Sequence, residues 1–179
     1  GMSALIPESH RILATPRELA GLMASGELDI ALLPTFEILR SGPYRLIEGC
    51  SIACDGAVRS VQLFHRVPVG EIRRVLLDRS SLTSVHLARV LMADHWKIDP
   101  KCDTSEVPLT GEFDLAASDY DAAVVIGDAA LDLAARGVPG QDLGEVWKTH
   151  TNGLPFVFAA WAVRPGYRVA GDLVAALIE

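Results

Sequence analysis

The sequence predicts an α/β protein with mixed, mostly parallel sheets and helices packed against them. Apolar runs of the kind found in buried strands alternate with helical segments along most of the chain. Three of these strands lead directly into helix starts, at Pro34-Thr35, at Asp78 to Ser84 and at Gly127-Asp128. Ligands bind outside the carboxyl ends of the strands in open α/β sheets, so these junctions are the first candidates for a site.

The first elements are predicted from local signals. Residues 10–15, HRILAT, are expected to form a short strand. Thr15 then caps a helix, with Pro16 in its first position and Glu18 completing a capping box, and Gly26 ends it. The following apolar run, LDIALLP, is typical of a strand buried on both faces.

The middle and end of the chain carry further strands and helices. Asp55-Gly56 is predicted to be a turn between two strands. RRVLLD is predicted to be a strand that leads into the helix beginning near Ser80–Ser84. YDAAVVIGDAALDLAA is predicted to be a strand followed by a helix. GLPFVFAAWAVRPG is expected to be a long strand, and AGDLVAALIE, residues 170–179, the start of a helix.

Composition argues against several classes of protein. The formal net charge is -7 and no Lys/Arg cluster is present, so a nucleic-acid partner is not expected. No apolar run approaches the roughly 20 residues that span a bilayer, and the N-terminus lacks the pattern of a secretory signal. Gly1 before Met2 resembles a scar of tag removal. We therefore expect a cytoplasmic protein without a membrane association.

Spacing alone predicts no metal centre and no catalytic constellation. Cys50, Cys54 and Cys102 are odd in number and lack zinc-site spacing, so reduced thiols are expected. The five histidines form no recognisable set, and no GxSxG, HExxH or CxxC motif is present. The chemistry stays undetermined at this level.

The hydroxyl-rich segment Ser80–Ser84 allows two interpretations. Serine and threonine commonly cap helices, and capping is the commoner role. The same hydroxyls, together with the N–H groups of a helix start, can bind a carboxylate or phosphate. Asp128 likewise fits a helix cap, and Ser60 fits a polar strand position. The residues alone leave these alternatives open.

Six segments, taken together, resemble the chorismate dehydratase family of the futalosine menaquinone pathway. They occur in the family's order across most of residues 15–165: GELDIALLPT, SIACDGAVRSVQLF, SSLTSVHLARVL, DAAVVIGDAAL, DLGEVW and GLPFVFAAWAVR. The resemblance implies the two-lobed fold of type II periplasmic binding proteins. Lobe 1 would comprise residues 1–68 with 156–179, and lobe 2 residues 69–155.

The resemblance also implies an activity and a set of site residues. Chorismate, a dicarboxylate, would lose water to give 3-[(1-carboxyvinyl)oxy]benzoate, without a metal or another cofactor. The family's serine in the segment G-x-V-x-S corresponds to Ser60, the implied catalytic residue. Its carboxylate-binding segment S-R-T-S corresponds here to Ser81, Leu82, Thr83 and Ser84, with leucine in place of arginine. The implied lining of the substrate site is completed by Thr35, Gly127 and Asp128.

This sequence departs from the family's pattern at both ends. It has no equivalent of the Y/F-L-N segment, whose asparagine is the second residue implicated in turnover, and family members continue past Glu179. Lobe 1 is therefore expected to be incomplete and covered by a partner or by a second copy of the chain. A non-catalytic protein that binds small carboxylates is the alternative. A third possibility is that the native start lies upstream of Met2 and that the missing strand is encoded there.

Overall fold

The computed structural model describes Pro7, residues 10–169 and Gly171. The predicted helix over residues 170–179 lies outside the described residues, apart from Gly171. The helices are α1 (Pro16–Ala24), α2 (Thr35–Ser41), α3 (Thr83–Val90), α4 (Gly127–Ala135) and α5 (Leu143–His150), with a 3-10 turn at Val69–Glu71 and a π-helical turn at Leu91–His95. The strands are β1 (Ile30–Pro34), β2 (Arg45–Cys54), β3 (Val61–His65), β4 (Arg74–Leu77), β5 (Lys101–Thr104), β6 (Ala122–Ile126), β7 (Gly140–Asp142) and β8 (Phe156–Val163).

The chain divides into two compact units. The first contains the chain up to Ile52 and from Val157 onward, and the second contains Ala53–Phe156. The division expected from the family resemblance was residues 1–68 with 156–179, and residues 69–155. Strand β3 pairs with β6 and β7 inside the second unit.

The first unit is built on a three-stranded sheet in the order β1-β8-β2. Strands β1 and β8 are antiparallel, from Ile30 opposite Val163 to Pro34 opposite Ala159. The predicted capping box of α1 is confirmed, because the Thr15 N–H donates to Glu18 Oε2 (2.8 Å) and the Glu18 N–H donates to Thr15 Oγ1 (3.4 Å).

The predicted strand at residues 10–15 is wrong. This segment is not paired in either sheet, and its apolar side chains Ile12 and Leu13 are exposed. An apolar run becomes a strand only where a neighbouring strand satisfies its backbone groups. None of the described strands occupies that position.

The second unit is built on a five-stranded sheet in the order β5-β4-β6-β3-β7. Parallel pairing is limited to β4 with β5 and with β6, whereas β3 runs antiparallel to both β6 and β7. The sheets are therefore mixed. Asp55-Gly56 does precede β3, but β2 and β3 belong to different sheets, so the turn does not close a hairpin.

The core of the second unit lies on the two central strands β4 and β6. Val75, Val124 and Val125 are fully buried, which accounts for the continuous apolar runs in these strands. Phe64 of β3 and Leu133 of α4 belong to one cluster of buried residues with Val125. This packing fixes the ends of β3, β4 and β6 relative to one another.

No helix in the described ranges is long and apolar enough to cross a membrane. The three cysteines, all described, are free, which agrees with the expectation of reduced thiols.

We predict that the chain self-associates through the exposed edge of the first unit. Strand β2 is an edge strand on which Leu46 and Ile52 are exposed, and Leu39 of α2 is 80% exposed. Exposed apolar edge strands favour pairing with another chain. Sedimentation velocity should therefore detect a species larger than the monomer. The double substitution Leu46→Lys with Ile52→Lys should shift it to the monomer, whereas Leu154→Lys, in the second unit, should not. A compact monomer at every concentration would contradict this prediction.

Candidate functional site

Three chain segments meet at one edge of the five-stranded sheet. This edge is the one formed by the ends of the strands and not by an outer strand. Strands β4 and β6 are parallel and end at this edge, with Leu77 paired to Val124 and the Asp78 N–H bonded to the Val124 carbonyl (3.2 Å). Strand β3 begins there, because Val61 is paired with Ile126. The sheet therefore gathers the residues around Ser60, Asp78 and Gly127 at the same edge.

The backbone of Ser60 is held by hydrogen bonds, whereas its side chain makes only a weak contact. Its carbonyl accepts the Gly127 N–H (2.8 Å), and its own N–H donates to the Val58 carbonyl (2.7 Å). The Ser60 hydroxyl lies 3.5 Å from the same carbonyl oxygen, which is long for a hydrogen bond between oxygens. The half-buried hydroxyl can therefore reorient toward a ligand without losing a strong contact.

Asp142, the N-cap of α5, holds the loop that carries Ser60. Its carboxylate accepts five hydrogen bonds, from the N–H groups of Val58 (3.1 Å), Arg59 (2.6 Å), Gly144 (2.9 Å) and Glu145 (3.1 Å) and from Gln62 Nε2 (3.2 Å). A single anion thus joins a helix start to a loop more than 80 residues earlier. The sequence pointed to DLGEVW only as a segment of the family pattern, and the long-range role of Asp142 had no local signal.

The loop before Ser60 adopts a conformation that is rare for its residue type. Arg59 has a φ of 62°, in the left-handed region that long side chains seldom occupy. The short bond from its N–H to Asp142 (2.6 Å) stabilises this conformation. Residues held in such conformations often lie at functional sites, which adds weight to this loop as part of a site.

The first turn of α5 packs closely against the same loop. A Cβ atom on Gly144 would lie 2.4 Å from the Gly56 carbonyl oxygen and 2.7 Å from Cys54 Sγ, so only glycine fits there. Burial raises the pKa of the Cys54 thiol, and the Asp142 and Asp55 carboxylates raise it further, against a smaller lowering by the backbone of Phe156. Cys54 is therefore a packing residue and not a thiolate nucleophile.

The hydroxyl-rich segment before α3 serves in part as a cap. Ser81 Oγ accepts the Ser84 N–H (3.2 Å), which is the capping contact of a helix start. The Ser80 N–H and hydroxyl both donate to Asp78 Oδ1, at 2.9 and 2.7 Å. Ser81 is thus engaged within the fold. Thr83 and Ser84 are the hydroxyl residues of the first turn of α3, and both are buried.

Leu82 occupies the position at which the family pattern has arginine, and it is buried, with 8% exposure. It therefore supplies no positive charge at this edge. The guanidinium group of neighbouring Arg79 donates to the Glu106 carbonyl. The backbone N–H of Arg79 donates to Ser105 Oγ (3.1 Å). Attraction for an anion at the start of α3 must come from the N–H groups and dipole of the helix.

Gly127 and Asp128 form the first turn of α4. Gly127 has a φ of 66°, which glycine adopts without strain. No side chain caps this helix start, so the capping role considered for Asp128 is not observed. Asp128 is exposed in the first turn, where its negative charge is favourable to the helix and unfavourable to a nearby anionic ligand.

Thr35 belongs to the first unit, unlike the other site residues predicted from the sequence. It is the first residue of α2, and its hydroxyl donates to the Val157 carbonyl (2.6 Å) at the start of β8. Ser60, Ser81, Thr83, Ser84, Gly127 and Asp128 all lie in the second unit. No three His, Cys, Asp or Glu residues of the described ranges are grouped to hold a metal ion.

Solved structures with similar folds include a periplasmic binding protein. The fold aligns with an ABC transporter protein from Parabacteroides distasonis (TM-score 0.55, 19% identity, 93% of this chain and 57% of that one). It also aligns with the periplasmic aliphatic sulphonate binding protein from Escherichia coli (TM-score 0.50, 13% identity, 83% of this chain and 52% of that one). The two units and their mixed sheets thus define a protein of the type II periplasmic-binding-protein-like class.

Sequence comparison identifies the family within this class. The family model for menaquinone biosynthesis matches residues 3–178, and the chain belongs to this family. A chorismate dehydratase from Thermus thermophilus is 33% identical over 191 residues, covering 96% of this chain and 68% of that protein. A protein from Archaeoglobus fulgidus has a similar structure (TM-score 0.62, 15% identity, 92% of this chain), and this chain spans 59% of its length.

Removing the Asp142 carboxylate should loosen the Ser60 loop. Asp142→Ala leaves five donors without their acceptor, and we expect the free energy of unfolding to fall by about 2–4 kcal/mol. Urea denaturation measures this change, and hydrogen exchange at the Arg59 amide should accelerate. Asp119→Ala, at an exposed aspartate, is the matched control. An Asp142→Ala chain as stable as the control would show that the contacts do not hold the loop.

Proposed function

We propose that this chain is a chorismate dehydratase, which removes water from chorismate to give 3-[(1-carboxyvinyl)oxy]benzoate. The single observation that carries the proposal is the position of Ser60. The residue that the family pattern implicates in turnover lies beside the carboxyl ends of β4 and β6, where open α/β sheets bind ligands, with its backbone fixed and its hydroxyl loosely held. The 33% identity with a chorismate dehydratase supports the same assignment. Three free cysteines fit a cytoplasmic enzyme.

In the proposed reaction, a proton leaves the ring carbon that bears the enolpyruvyl ether and hydroxide leaves the adjacent carbon. The aromatic product makes the reaction strongly favourable, so a large share of the rate enhancement can come from holding the substrate in a reactive geometry. The Ser60 hydroxyl would donate a hydrogen bond to the departing hydroxide, where negative charge develops. Asp142 and Gly127 contribute by fixing the Ser60 backbone.

One substrate carboxylate would bind at the start of α3. Thr83 and Ser84 contribute hydroxyls there, and the positive end of the helix dipole favours an anion. Gly127 and Asp128 would line the same edge. We place the carboxylate away from Asp128, because two like charges in contact would weaken binding.

A second candidate, a carboxylate-binding protein without catalytic activity, is favoured by one observation. Buried Leu82 replaces the arginine of the family pattern, which removes a charge from the proposed carboxylate site. A proton NMR time course with chorismate separates the two candidates. New aromatic signals of the product support the dehydratase, and broadened chorismate signals without product support the binding protein. Unchanged chorismate signals would contradict both.

Replacing the Ser60 hydroxyl should lower turnover more than binding. For Ser60→Ala we expect kcat to fall about 100-fold, with KM changed less than about threefold, because the lost hydrogen bond forms mainly in the transition state. Initial rates of product formation measure both constants. Ser51→Ala, at an exposed strand position, is the control. Equal kcat for Ser60→Ala and the control would rule out this role for Ser60.

Replacing Thr83 should affect the binding of substrate. Thr83→Val removes a hydroxyl with little change of shape, and a hydrogen bond to a charged group contributes roughly 1.5–3 kcal/mol. We therefore expect KM for chorismate to rise at least tenfold while kcat changes little. Thr110→Val, at an exposed loop position, provides the comparison. An unaltered KM would place the carboxylate elsewhere.

A further inference from the structure

The second unit contains a cavity at the edge of the sheet opposite Ser60. Strand β3 runs from Val61, at the Ser60 edge, to His65, which pairs with Ala122 at the start of β6. The cavity has a volume of about 370 Å³ and lies beside His65 and the segment that follows it. It is formed entirely by residues of the second unit. The proposed reaction makes no use of it.

One side of the cavity is apolar. Phe113, Leu115 and Val138 line it. Leu115 is a buried member of the cluster that includes Phe64 and Leu133, and Phe113 and Val138 pack against that cluster. The apolar side is therefore an extension of the core, and its shape is fixed by packing. A cavity of this size suits a small ring and not an extended chain.

Two arginines also line the cavity. Arg66 and Arg136 do so together with one acidic residue, Asp114. The Asp114 carboxylate already accepts the N–H groups of Ala116 (2.9 Å) and Ala117 (3.3 Å), so it is engaged in its own loop. The attraction for an anionic ligand therefore depends on the N–H donors of the two guanidinium groups, whose planar fork fits a carboxylate.

Arg66 is only loosely bound to its acidic neighbour. Its Nη2 lies 3.6 Å from Asp121 Oδ1, beyond the 2.7–2.9 Å typical of a charge-assisted hydrogen bond. Asp121 Oδ2 accepts the N–H groups of Arg73 and Arg74, both at 2.9 Å. The Arg73 N–H is the largest cause of the lowered pKa of Asp121, ahead of Arg66. Asp121 is therefore satisfied by the backbone, and Arg66 can turn to another anion.

Arg136 also retains donors for a ligand. Its Nη1 donates to the Gly111 carbonyl (2.5 Å), which anchors the side chain beside the cavity. A guanidinium group has five N–H donors in a planar fork, so this contact leaves the geometry for a carboxylate intact. Arg66 and Arg136 thus provide two cationic donors next to the apolar side formed by Phe113 and Val138.

We propose that this cavity binds a small aromatic monocarboxylate. The ring lies against Phe113 and Val138, and the carboxylate binds Arg66 and Arg136. The inference does not depend on the proposed catalytic function, because the two sites lie at opposite edges of the sheet. The aromatic product of the proposed reaction contains a benzoate group of this kind, but it carries a second carboxylate and is therefore not the monocarboxylate proposed here.

Titration of the full chain with 3-hydroxybenzoate tests the proposal. Calorimetry gives the affinity, and backbone amide shifts in NMR give the location. We expect shifts at Gly137 and Val138 and at least tenfold weaker binding in Arg136→Gln. Arg45→Gln, at an exposed arginine of the first unit, should bind as the wild type does. Binding of neutral 3-hydroxybenzyl alcohol should also be at least tenfold weaker, since it lacks the carboxylate.

A second variant keeps the test decisive if Arg136→Gln perturbs folding. Ala116 is exposed and lines the cavity, so Ala116→Trp should fill the space without disturbing the core, and 3-hydroxybenzoate binding should be lost. Unchanged affinity in Ala116→Trp would overturn the proposal. Amide shifts confined to Ser60 and Ser84 would overturn it too, because they would place the ligand at the other edge. An absence of binding to the wild-type chain would have the same consequence.

Discussion

The candidate site depends on the carboxylate of Asp142 more than on any other single group. This anion accepts hydrogen bonds from the loop before Ser60 and from the start of α5, and it thereby extends the β3–β7 pairing, in which Gln62 lies opposite Asp142, to the segments beyond the strands. The donors are mostly backbone N–H groups, so the position of the loop depends little on the side chains within it. Such an arrangement fixes the backbone of the loop while its side chains can vary.

The five-stranded sheet supplies the second constraint, because it determines which loops are neighbours. Antiparallel β3 starts at the edge where parallel β4 and β6 end. A loop entering one strand is thereby placed beside two helix starts that leave the others. Helix starts offer N–H groups and a favourable dipole to anions, and the entering loop adds a hydroxyl. A carboxylate substrate needs both kinds of group, and the strand directions bring them together.

Local signals in the sequence predicted local structure well. The capping box of Thr15 and Glu18 is confirmed because both partners lie within one helical turn. The buried strands β4 and β6 follow from continuous apolar runs. The same criterion failed at Ile12 and Leu13, since an apolar run does not specify whether a partner strand exists. The placement of β3 in the second unit and the contacts of Asp142 also escaped prediction, because both depend on residues far apart in sequence.

Strand β3 links the two edges of the sheet in a way that constrains how the protein can change. It has five residues and is paired on both sides, by β6 and by β7. Side chains alternate between the two faces of a strand, so inserting or deleting one residue would reverse every side chain beyond that point. Ser60 and the cavity beside His65 would then be displaced together. Mutations can therefore adjust either edge by substitution, whereas a change in the length of β3 would alter both at once.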